Sequence, residues 1–542
     1  MRPSSMRRNV FVSVPPAVDR RRTVFIVTLT AFFLAVSRSA PAEDPTRQFG
    51  SAWTDPAPLN NNADTDSGDD CAPHVSTDAG GTWVAVWWSS ENLGGTIGTD
   101  GDILVARSVD NGVTWTDPEP LNNNAATDSG DDWSAQAATD GAGNWVAVWD
   151  SIDTLSGTIG TDHDILVARS TDNGVTWTDP APLNNNAETD SGNDWYAQVT
   201  TDGAGNWVAV WWSTGMFGTD YDILVSRSTD DGATWTDPAP LNNDAAADSR
   251  QDKQPQVTTD RAGNWVAVWF FMDSLGGPFG SDYDILVARS TDDGATWTDP
   301  APLNSGAATD SGNDLSPQVT TDAGGNWVAA WHSSENLAGT IGSDYDILVA
   351  RSTDNGATWT DPVPLNNNAA TDLGHDGYPE VATDAAGIWL AVWRSHDDLG
   401  ATIGTDGDIL VACSNDNGLT WTDPEPLNNN AATDSENDWY PQITTDGAGN
   451  WVTVWDSTDN LSGTIGTDYD ILVAQTSVVP GDCDRDGKVD LYDFALFCQC
   501  FAGTGNPPAV GCQPGVDADL DNDGDVDLGD FTLFAANCTG PL

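Results

Sequence analysis

Ser228-Thr229-Asp230-Asp231-Gly232-Ala233-Thr234-Trp235 is one of six closely similar octapeptides in this 542-residue chain. The copies begin 62, 58, 62, 62 and 62 residues apart, at Ser108, Ser170, Ser228, Ser290, Ser352 and Ser414. A period of this size is typical of propellers, solenoids and other arrays. The chain is therefore built from one supersecondary unit that is copied along its length.

Each unit contains four short runs with the composition of β-strands. In one unit these runs are Ala197–Thr201, Trp207–Trp212, Asp222–Ser228 and Thr234–Leu241. Gly203-Ala204-Gly205-Asn206 supplies a tight turn between the first two. Four short antiparallel strands per repeat predict an all-β fold made of propeller blades.

The strand count predicts how the ring closes. The second and third strands each occur seven times, whereas the first copy of the fourth strand, at Trp53-Thr54-Asp55-Pro56, precedes any complete unit. The last unit ends at Gln475 without a fourth strand. Pairing these two ends would remove exposed sheet edges and give seven blades. The alternative is a six-bladed ring with extra strands.

The octapeptide Ser-x-Asp-x-Gly-x-Thr-Trp resembles the Asp-box, or BNR repeat, of sialidase-like propellers, and the resemblance covers residues 50–476. An Asp side chain can bond turn amides, Gly permits a positive φ, and Trp packs between strands. These roles indicate a structural rather than a ligand-binding function for the box aspartates, which are Asp110, Asp172, Asp230, Asp292, Asp354 and Asp416.

Residues 1–42 have the pattern of a secretory signal peptide, with basic residues, an apolar segment at Thr23–Val36 and the small-residue site Ala40-Pro41-Ala42. The apolar segment is short for a membrane span, so we expect export without a retained transmembrane anchor. Residues 43–478 are then the propeller and residues 479–542 a separate module. The mature protein is expected to be secreted or held at the cell surface.

The charge excludes some partners. The chain has a formal net charge of −64, and removal of residues 1–42, which hold seven Arg and one Asp, would make it −70. Such a surface repels nucleic acids and anionic membranes. Five of the seven cysteines lie in the last 60 residues, which predicts disulfides in an exported protein without fixing their pairing.

Long connections precede the first strand and follow the second strand of every unit, so both lie on one face of the predicted propeller. Residues that differ between units on this face are candidate ligand-binding residues, and tryptophans there could stack on sugar rings or pack beneath loops. The candidates are Trp133, Trp195, Trp439, Arg250, Lys253, Arg394, His396 and Tyr378. Glu380 also replaces a glutamine that most units share.

No catalytic residue is assigned. The resemblance to sialidases implies three arginines for a substrate carboxylate, a Tyr–Glu nucleophile pair and an acidic Asp. The innermost strands of this chain hold no arginine, the sialidase F/Y-R-I-P phrase is missing, and Arg107 and its repeats look structural. An arginine cluster in the central funnel would favour an enzyme, whereas a symmetric acidic ring would favour binding or calcium storage.

Acidic residues recur on the same face in all seven units. One position is Asp70, Asp132, Asp194, Asp252, Asp314, Asp376 and Asp438, and the other is an Asp-x-Asp pair, as at Asp100 and Asp102. These residues could hold further calcium ions, because hard cations favour clustered carboxylates. They could equally cap turns and solvate the loops.

The last module contains two loops with calcium-ligand spacing, each followed by an apolar helix at Phe494–Phe501 and Phe531–Ala536. Gly487 and Gly524 supply the sharp turns. The predicted ligands of two calcium ions are Asp482, Asp484, Asp486, Lys488, Asp490 and Asp493, and Asp519, Asp521, Asp523, Asp525, Asp527 and Asp530, with Lys488 and Asp525 acting through their carbonyls.

The paired loops resemble a type I dockerin, which implies calcium-dependent folding and a cohesin-like partner. Leu491-Tyr492 and Leu528-Gly529 replace the usual Ser/Thr pairs, and the cysteines are unusual, so the partner is the weaker part of the resemblance. The sequence thus predicts a secreted calcium-binding propeller that binds an extracellular glycan or a cell-surface protein. The alternative is a divergent sialidase-like glycoside hydrolase that its dockerin-like module tethers.

Overall fold

The computed structural model describes residues 53–216, 218, 220–242, 245, 251–272, 282–304, 306–309, 311–476, 489, 491–503, 509, 512, 518, 520 and 526–536. The chain divides into two compact units, Gln48–Val478 and a second unit formed by Met1–Arg47 with Val479–Leu542. The predicted signal peptide lies outside the described residues. No described helix is long and apolar enough to cross a membrane.

The larger unit contains seven four-stranded antiparallel blades, as predicted; two of them share one parallel bridge between Tyr221 and Gln251. The inner strand of each blade contacts that of the next blade, and the last contacts the first. This closed succession defines an axis. The inner strands are β2 (Asp70–Thr77), β6 (Asp132–Thr139), β10 (Asp194–Thr201), β14 (Gln251–Thr259), β18 (Asp314–Thr321), β22 (Asp376–Thr383) and β26 (Asp438–Thr445).

The second and third strands of each blade are the long central pair. The second strands are β3 (Trp83–Ser89), β7 (Trp145–Ser151), β11 (Trp207–Thr214), β15 (Trp265–Met272), β19 (Trp327–Ser333), β23 (Trp389–Ser395) and β27 (Trp451–Ser457). The third strands are β4 (Asp102–Ser108), β8 (Asp164–Ser170), β12 (Tyr221–Ser228), β16 (Tyr283–Ser290), β20 (Asp346–Ser352), β24 (Asp408–Ser414) and β28 (Asp470–Gln475).

The outer strands have only two residues each, so the predicted strand Thr234–Leu241 was too long. Pro238 and Pro240 have no N–H group to donate to a neighbouring strand, and Thr234 is bonded within the Asp-box turn. The outer strands are β1 (Ala57–Pro58), β5 (Glu119–Pro120), β9 (Ala181–Pro182), β13 (Ala239–Pro240), β17 (Ala301–Pro302), β21 (Val363–Pro364) and β25 (Glu425–Pro426).

The core lies between consecutive blades. Side chains alternate across each strand, so the repeated Trp-Val-Ala-Val-Trp puts its tryptophans on one face and its valines on the other. In one such layer Trp207 and Trp211 pack against Val146 and Val148 of the preceding blade. The same pattern recurs around the ring, so every blade is stabilised by both of its neighbours.

The Asp-box is a closed hydrogen-bonded turn. The Ser228 hydroxyl donates to Asp230 Oδ1 at 2.8 Å and accepts from the N–H of Gly232 at 3.0 Å, while the N–H of Thr234 donates to Asp230 at 2.9 Å. Gly232 has φ +73°, a conformation that glycine adopts without strain. Arg169 Nε of the preceding blade donates to the Asp231 carbonyl at 2.9 Å, which ties neighbouring blades together.

The ring closes through β1, which pairs with β28 to complete the blade of β26 and β27. Leu59, directly after β1, is fully buried and its N–H donates to the Ile471 carbonyl at 2.7 Å. The two ends of the propeller therefore belong to one blade, and the described strands exclude the six-bladed alternative.

The closure predicts equal costs for two equivalent truncations. Leu183 holds the position of Leu59 in a blade without a seam, and both side chains are fully buried. Leu59→Ala and Leu183→Ala should each lower the free energy of unfolding by about 2–4 kcal/mol, measured by urea denaturation of the full chain. An effect of Leu183→Ala alone would contradict a closed ring.

The smaller unit contains helices α1 (Leu491–Cys500) and α2 (Leu528–Ala536), which begin three residues before the predicted apolar segments. Phe494 and Phe497 pack on Phe534, with ring centroids 5.8 and 5.2 Å apart. A disulfide joins Cys500 to Cys512, while Cys498 is a free thiol.

Candidate functional site at the propeller axis

Positions in the inner strands are counted here from the Asp that all seven share, which is the first residue of every inner strand except β14, where it is the second. A β-bulge interrupts every inner strand after the second of these positions. The third residue has a positive φ of 46–53° although none of the seven is glycine. Such a conformation is unfavourable for a residue with a side chain and is often found at functional sites. The seven residues are Ala72, Ser134, Tyr196, Gln254, Ser316, Tyr378 and Tyr440.

These seven residues line one cavity of about 410 Å³ on the propeller axis, here called the axial cavity. Tyr196 and Tyr440 are 46% and 41% exposed, so their rings are open to solvent. The fifth residue of most inner strands forms a second ring of lining side chains, which consists of Gln136, Gln198, Gln256, Gln318, Glu380 and Gln442.

Glu380 is the one acidic side chain among the described residues that line the axial cavity. Gln442 Nε2 donates to Glu380 Oε1 at 2.9 Å. Burial raises the pKa of Glu380 to about 8, against the opposing effect of this hydrogen bond. His74 occupies the equivalent position of another blade, and burial lowers its pKa to about 4. At neutral pH both of these side chains are thus largely uncharged.

Five aromatic rings from two neighbouring blades form a continuous row of stacked, tilted and edge-on contacts beside the cavity, here called the aromatic belt. The centroid distances are 5.1 Å from Trp133 to His163, 5.4 Å from His163 to Trp195, 4.4 Å from Trp195 to Trp212, and 4.8 Å from Trp212 to Tyr221. All five side chains are partly exposed. The belt is a preformed apolar surface with polar edges.

Two cations lie against aromatic rings at this end of the propeller. Lys253 Nζ lies 4.2 Å from the Tyr221 ring centroid and 5.4 Å from that of Trp212. Arg394 Cζ lies 3.3 Å from the Trp439 ring centroid, in cation–π geometry. Burial lowers the pKa of both groups. Both charges are therefore held on rings beside the axis.

The predicted ligand-binding residues are thus partly brought together. Trp133, Trp195 and Lys253 belong to the belt and its border, Trp439 and Arg394 stack on each other, and the Tyr378 ring lies 4.9 Å from Tyr440. His396 stands apart, with Nδ1 3.3 Å from the Thr405 carbonyl. Arg250 lies outside the described residues.

Their placement on loops was wrong in several cases. Trp133, Trp195, Trp439 and Lys253 are second residues of inner strands, and Arg394 is in β23. The bulge breaks the alternation of residue types by which a strand is recognised in a sequence. The predicted inner strands therefore begin three residues later than the strands in the structure. Tyr196, Tyr440, Trp212, His163 and Tyr221 were missed, although each differs between the seven copies of the repeat.

The first acidic position of the repeat forms structural hydrogen bonds, and its member Asp70 also belongs to an acidic group described below. Asp194 is 1% exposed, and its Oδ2 accepts from Asn184 Nδ2 at 3.1 Å. Asp252 is the equivalent residue of the next blade, and it accepts a hydrogen bond from Trp269 Nε1 at 3.0 Å. These carboxylates fasten the inner strand to its own blade and to the end of the preceding blade.

The Asp-x-Asp pairs have a different surrounding. Among the described residues, four of the pairs join a third aspartate that sequence analysis missed, and one oxygen of each residue lies within 4.8 Å of those of the others. These groups, here called the carboxylate triads, could hold metal ions; in the fifth, Asp70 takes the place of the first Asp of the pair. The triads are Asp100/Asp102/Asp128, Asp162/Asp164/Asp190, Asp344/Asp346/Asp372, Asp406/Asp408/Asp434 and Asp66/Asp70/Asp470.

Most predicted calcium ligands of the C-terminal module lie outside the described residues. Asp493 and Asp530, the last ligand of each loop, are 1% and 0% exposed in the first turns of α1 and α2. Asp530 accepts from the N–H of Asp527 at 2.7 Å. Buried carboxylates at these two positions fit a calcium loop that is closed by its following helix.

Residues 205–437 match the family model of the BNR repeat-like domain. No curated protein matches the sequence significantly. The family match and the blade topology together support a sialidase-like BNR, or Asp-box, propeller fold.

Similar solved structures include the Hadza microbial sialidase Hz136, with 18% identity over 73% of this chain and 76% of that one and a TM-score of 0.39. A PL25 ulvan lyase has 11% identity over 79% and 94% of the chains and a TM-score of 0.46. A Penicillium chrysogenum α-L-arabinanase complexed with arabinobiose has 15% identity over 62% and 90% and a TM-score of 0.38.

Glu380 predicts a pH-dependent stability. Its folded pKa of about 8 lies above the ordinary value of 4.5, so ionisation opposes folding as pH rises through this window. As the pH rises from about 5 to about 8, the melting temperature of the wild type should therefore decrease relative to that of Glu380→Gln. Thermal unfolding of both proteins measures this difference. A difference that stays constant over this range would contradict the burial of an ionisable Glu380.

Proposed function

We propose that the chain is a secreted glycan-binding propeller that holds its ligand on the aromatic belt and in the axial cavity. The observation that carries this proposal is the uninterrupted series of contacts between partly exposed rings from Trp133 to Tyr221. Aromatic faces present large apolar areas at little entropic cost, and their polar edges tolerate water. They suit the apolar faces of sugar rings.

The axial cavity adds the polar groups that such a ligand needs. Glutamine amides and tyrosine hydroxyls offer both donors and acceptors, which match sugar hydroxyls. A concave site with aromatic walls and a few converging polar groups is the usual form of a small-ligand pocket. The seven left-handed bulge residues that shape its wall support the same interpretation.

The charge favours neutral over acidic glycans. The chain carries 83 acidic and 19 basic residues, which repel a polyanion at long range. Arginine, the side chain best suited to bidentate capture of a carboxylate, is absent from the described lining of the axial cavity. A neutral oligosaccharide is therefore the ligand class that we propose.

The C-terminal module would attach the propeller to an extracellular partner. Its two loops would hold two calcium ions through the predicted aspartates, with Asp493 and Asp530 closing each loop onto its helix. Calcium there would supply the cross-links that a small unit needs to stay folded. A cohesin-like surface protein is the partner that its dockerin-like spacing favours.

The binding proposal predicts a sharp difference between the partly exposed Trp195 and the exposed Leu373. Trp195→Ala should weaken binding of a neutral oligosaccharide, chosen from a glycan array, by about tenfold or more, because it removes the centre of the belt. Leu373→Ala, at a side chain that is 89% exposed in a connecting loop, is the matched control and should bind as the wild type does. Equal affinities, with both variants folded by circular dichroism, would contradict the proposal.

Glycan hydrolysis is the second candidate, because a carboxyl with a pKa of about 8 could act as a general acid at neutral pH. Glycoside hydrolases usually need a second carboxylate, and the described lining of the cavity offers only Glu380. We therefore expect no turnover of a panel of fluorogenic sialosides and neutral glycosides. Turnover that Glu380→Gln abolishes would establish the hydrolase instead.

A further inference from the structure

The carboxylate triads lie where neighbouring blades meet. In the first, Asp100 and Asp102 lie at the start of β4, whereas Asp128 lies in the connection from β5 to β6 of the next blade. In the last, Asp470 of β28 meets Asp66 and Asp70 across the seam of the ring. Each triad thus joins segments that belong to different blades.

A second observation concerns the hydrogen bonding of the innermost carboxylate. Asp102 is 0% exposed; its Oδ1 accepts from Asn122 Nδ2 at 2.9 Å, but its Oδ2 has no hydrogen-bond partner in the described part of the chain. A buried polar atom without a partner is costly and rare in proteins. The equivalent carboxylates are at most 1% exposed and have the same orphaned oxygen; they are Asp164, Asp346, Asp408 and Asp470.

The triads also lack a counter-charge. Over the described ranges, no lysine or arginine lies within 4.0 Å of a triad carboxylate. The ion pair of these ranges joins His163 to Asp150, and neither residue belongs to a triad. Carboxylates this close together repel one another strongly when they are shielded from water. A bound divalent cation would neutralise the repulsion and coordinate the orphaned oxygens at once.

We propose that each of the five carboxylate triads binds one calcium ion. All the side-chain ligands are oxygens, which hard cations prefer, and the adjoining connections are long enough to complete a flexible shell of six to eight oxygens. Each ion would fasten two blades together at the face that carries the axial cavity. The ion at Asp66, Asp70 and Asp470 would join the two ends of the propeller.

A glycine two residues before the Asp-x-Asp pair supports a built site. A Cβ atom at Gly98 would collide with the Asp100 carboxylate, so glycine is what lets this side chain fold back into the triad. The same collision would occur at Gly160, Gly342 and Gly404. Gly218 and Gly466 meet Asp220 and Asp468 in the same way, so Gly-x-Asp-x-Asp folds back the first carboxylate of the pair in blades with and without a described triad.

The test is a calcium count on the full chain after treatment with EDTA and dialysis against a calcium buffer. Wild type should hold at least five ions, one for each triad among the described residues, beyond those lost when the C-terminal loops are disabled by Asp484→Asn and Asp521→Asn. The double variant Asp66→Asn, Asp190→Asn should hold two ions fewer than wild type. The matched control is Asp64→Asn, Glu188→Gln, which removes the same charge from exposed positions of the same two connections and should lose none.

Two results would overturn the proposal. One is an equal calcium content in the double variant and its control, with both folded by near-ultraviolet circular dichroism. The other is a wild type whose bound calcium disappears entirely with the C-terminal substitutions. Either result would mean that the triads are balanced by protons or water rather than by cations.

Discussion

The pairing of β1 with β28 is the constraint on which the rest of the propeller depends. It is short, with only Ala57 opposite Val473 and Pro58 opposite Leu472. Asn60 strengthens it, because its Nδ2 donates to Asp70 at 3.0 Å and to Asp470 at 2.9 Å across the seam. Without this closure the sheet of the last blade would end in an exposed edge.

Repetition and variation divide the work of the molecule. The Asp-box, the paired tryptophans and the buried Asp–Asn contacts are nearly the same in every blade. They form the structural scaffold of the propeller. The residues that do differ meet at one end of the axis, where Tyr196, Trp195 and Glu380 face a shared cavity or its border. Function is therefore expected where the repeat is broken rather than where it is kept.

Much of this arrangement was predictable because it is local or periodic. The spacing of the Asp-boxes gave the blades, and the unmatched strand at Trp53 gave the ring closure. The bulge was not predictable, because it depends on how the inner strand pairs with its neighbours. For this reason Trp195 and Lys253 were predicted on loops, whereas they lie on strands. The third triad member was also missed, since Asp128 lies 26 residues from Asp102 and joins it only through the fold.

The same logic explains two smaller errors. The length of the outer strand was overestimated because the prediction considered only the alternation of residue types. Pairing with a neighbouring strand requires backbone N–H donors, which Pro238 and Pro240 lack. The two acidic positions of the repeat looked alike in sequence. Their places in the fold separate them, since Asp194 begins the inner strand β10 and accepts from Asn184, whereas Asp102 begins β4 and joins Asp100 and Asp128 in a triad.

The most direct measurement of the central claim is a crystal structure of the full chain with a bound neutral oligosaccharide. We predict density for a sugar ring stacked on Trp195 or Trp212, with a neighbouring sugar hydroxyl bonded to the side chains of the axial cavity. A ligand bound instead on the Asp-box face, with the axial cavity empty, would contradict the account.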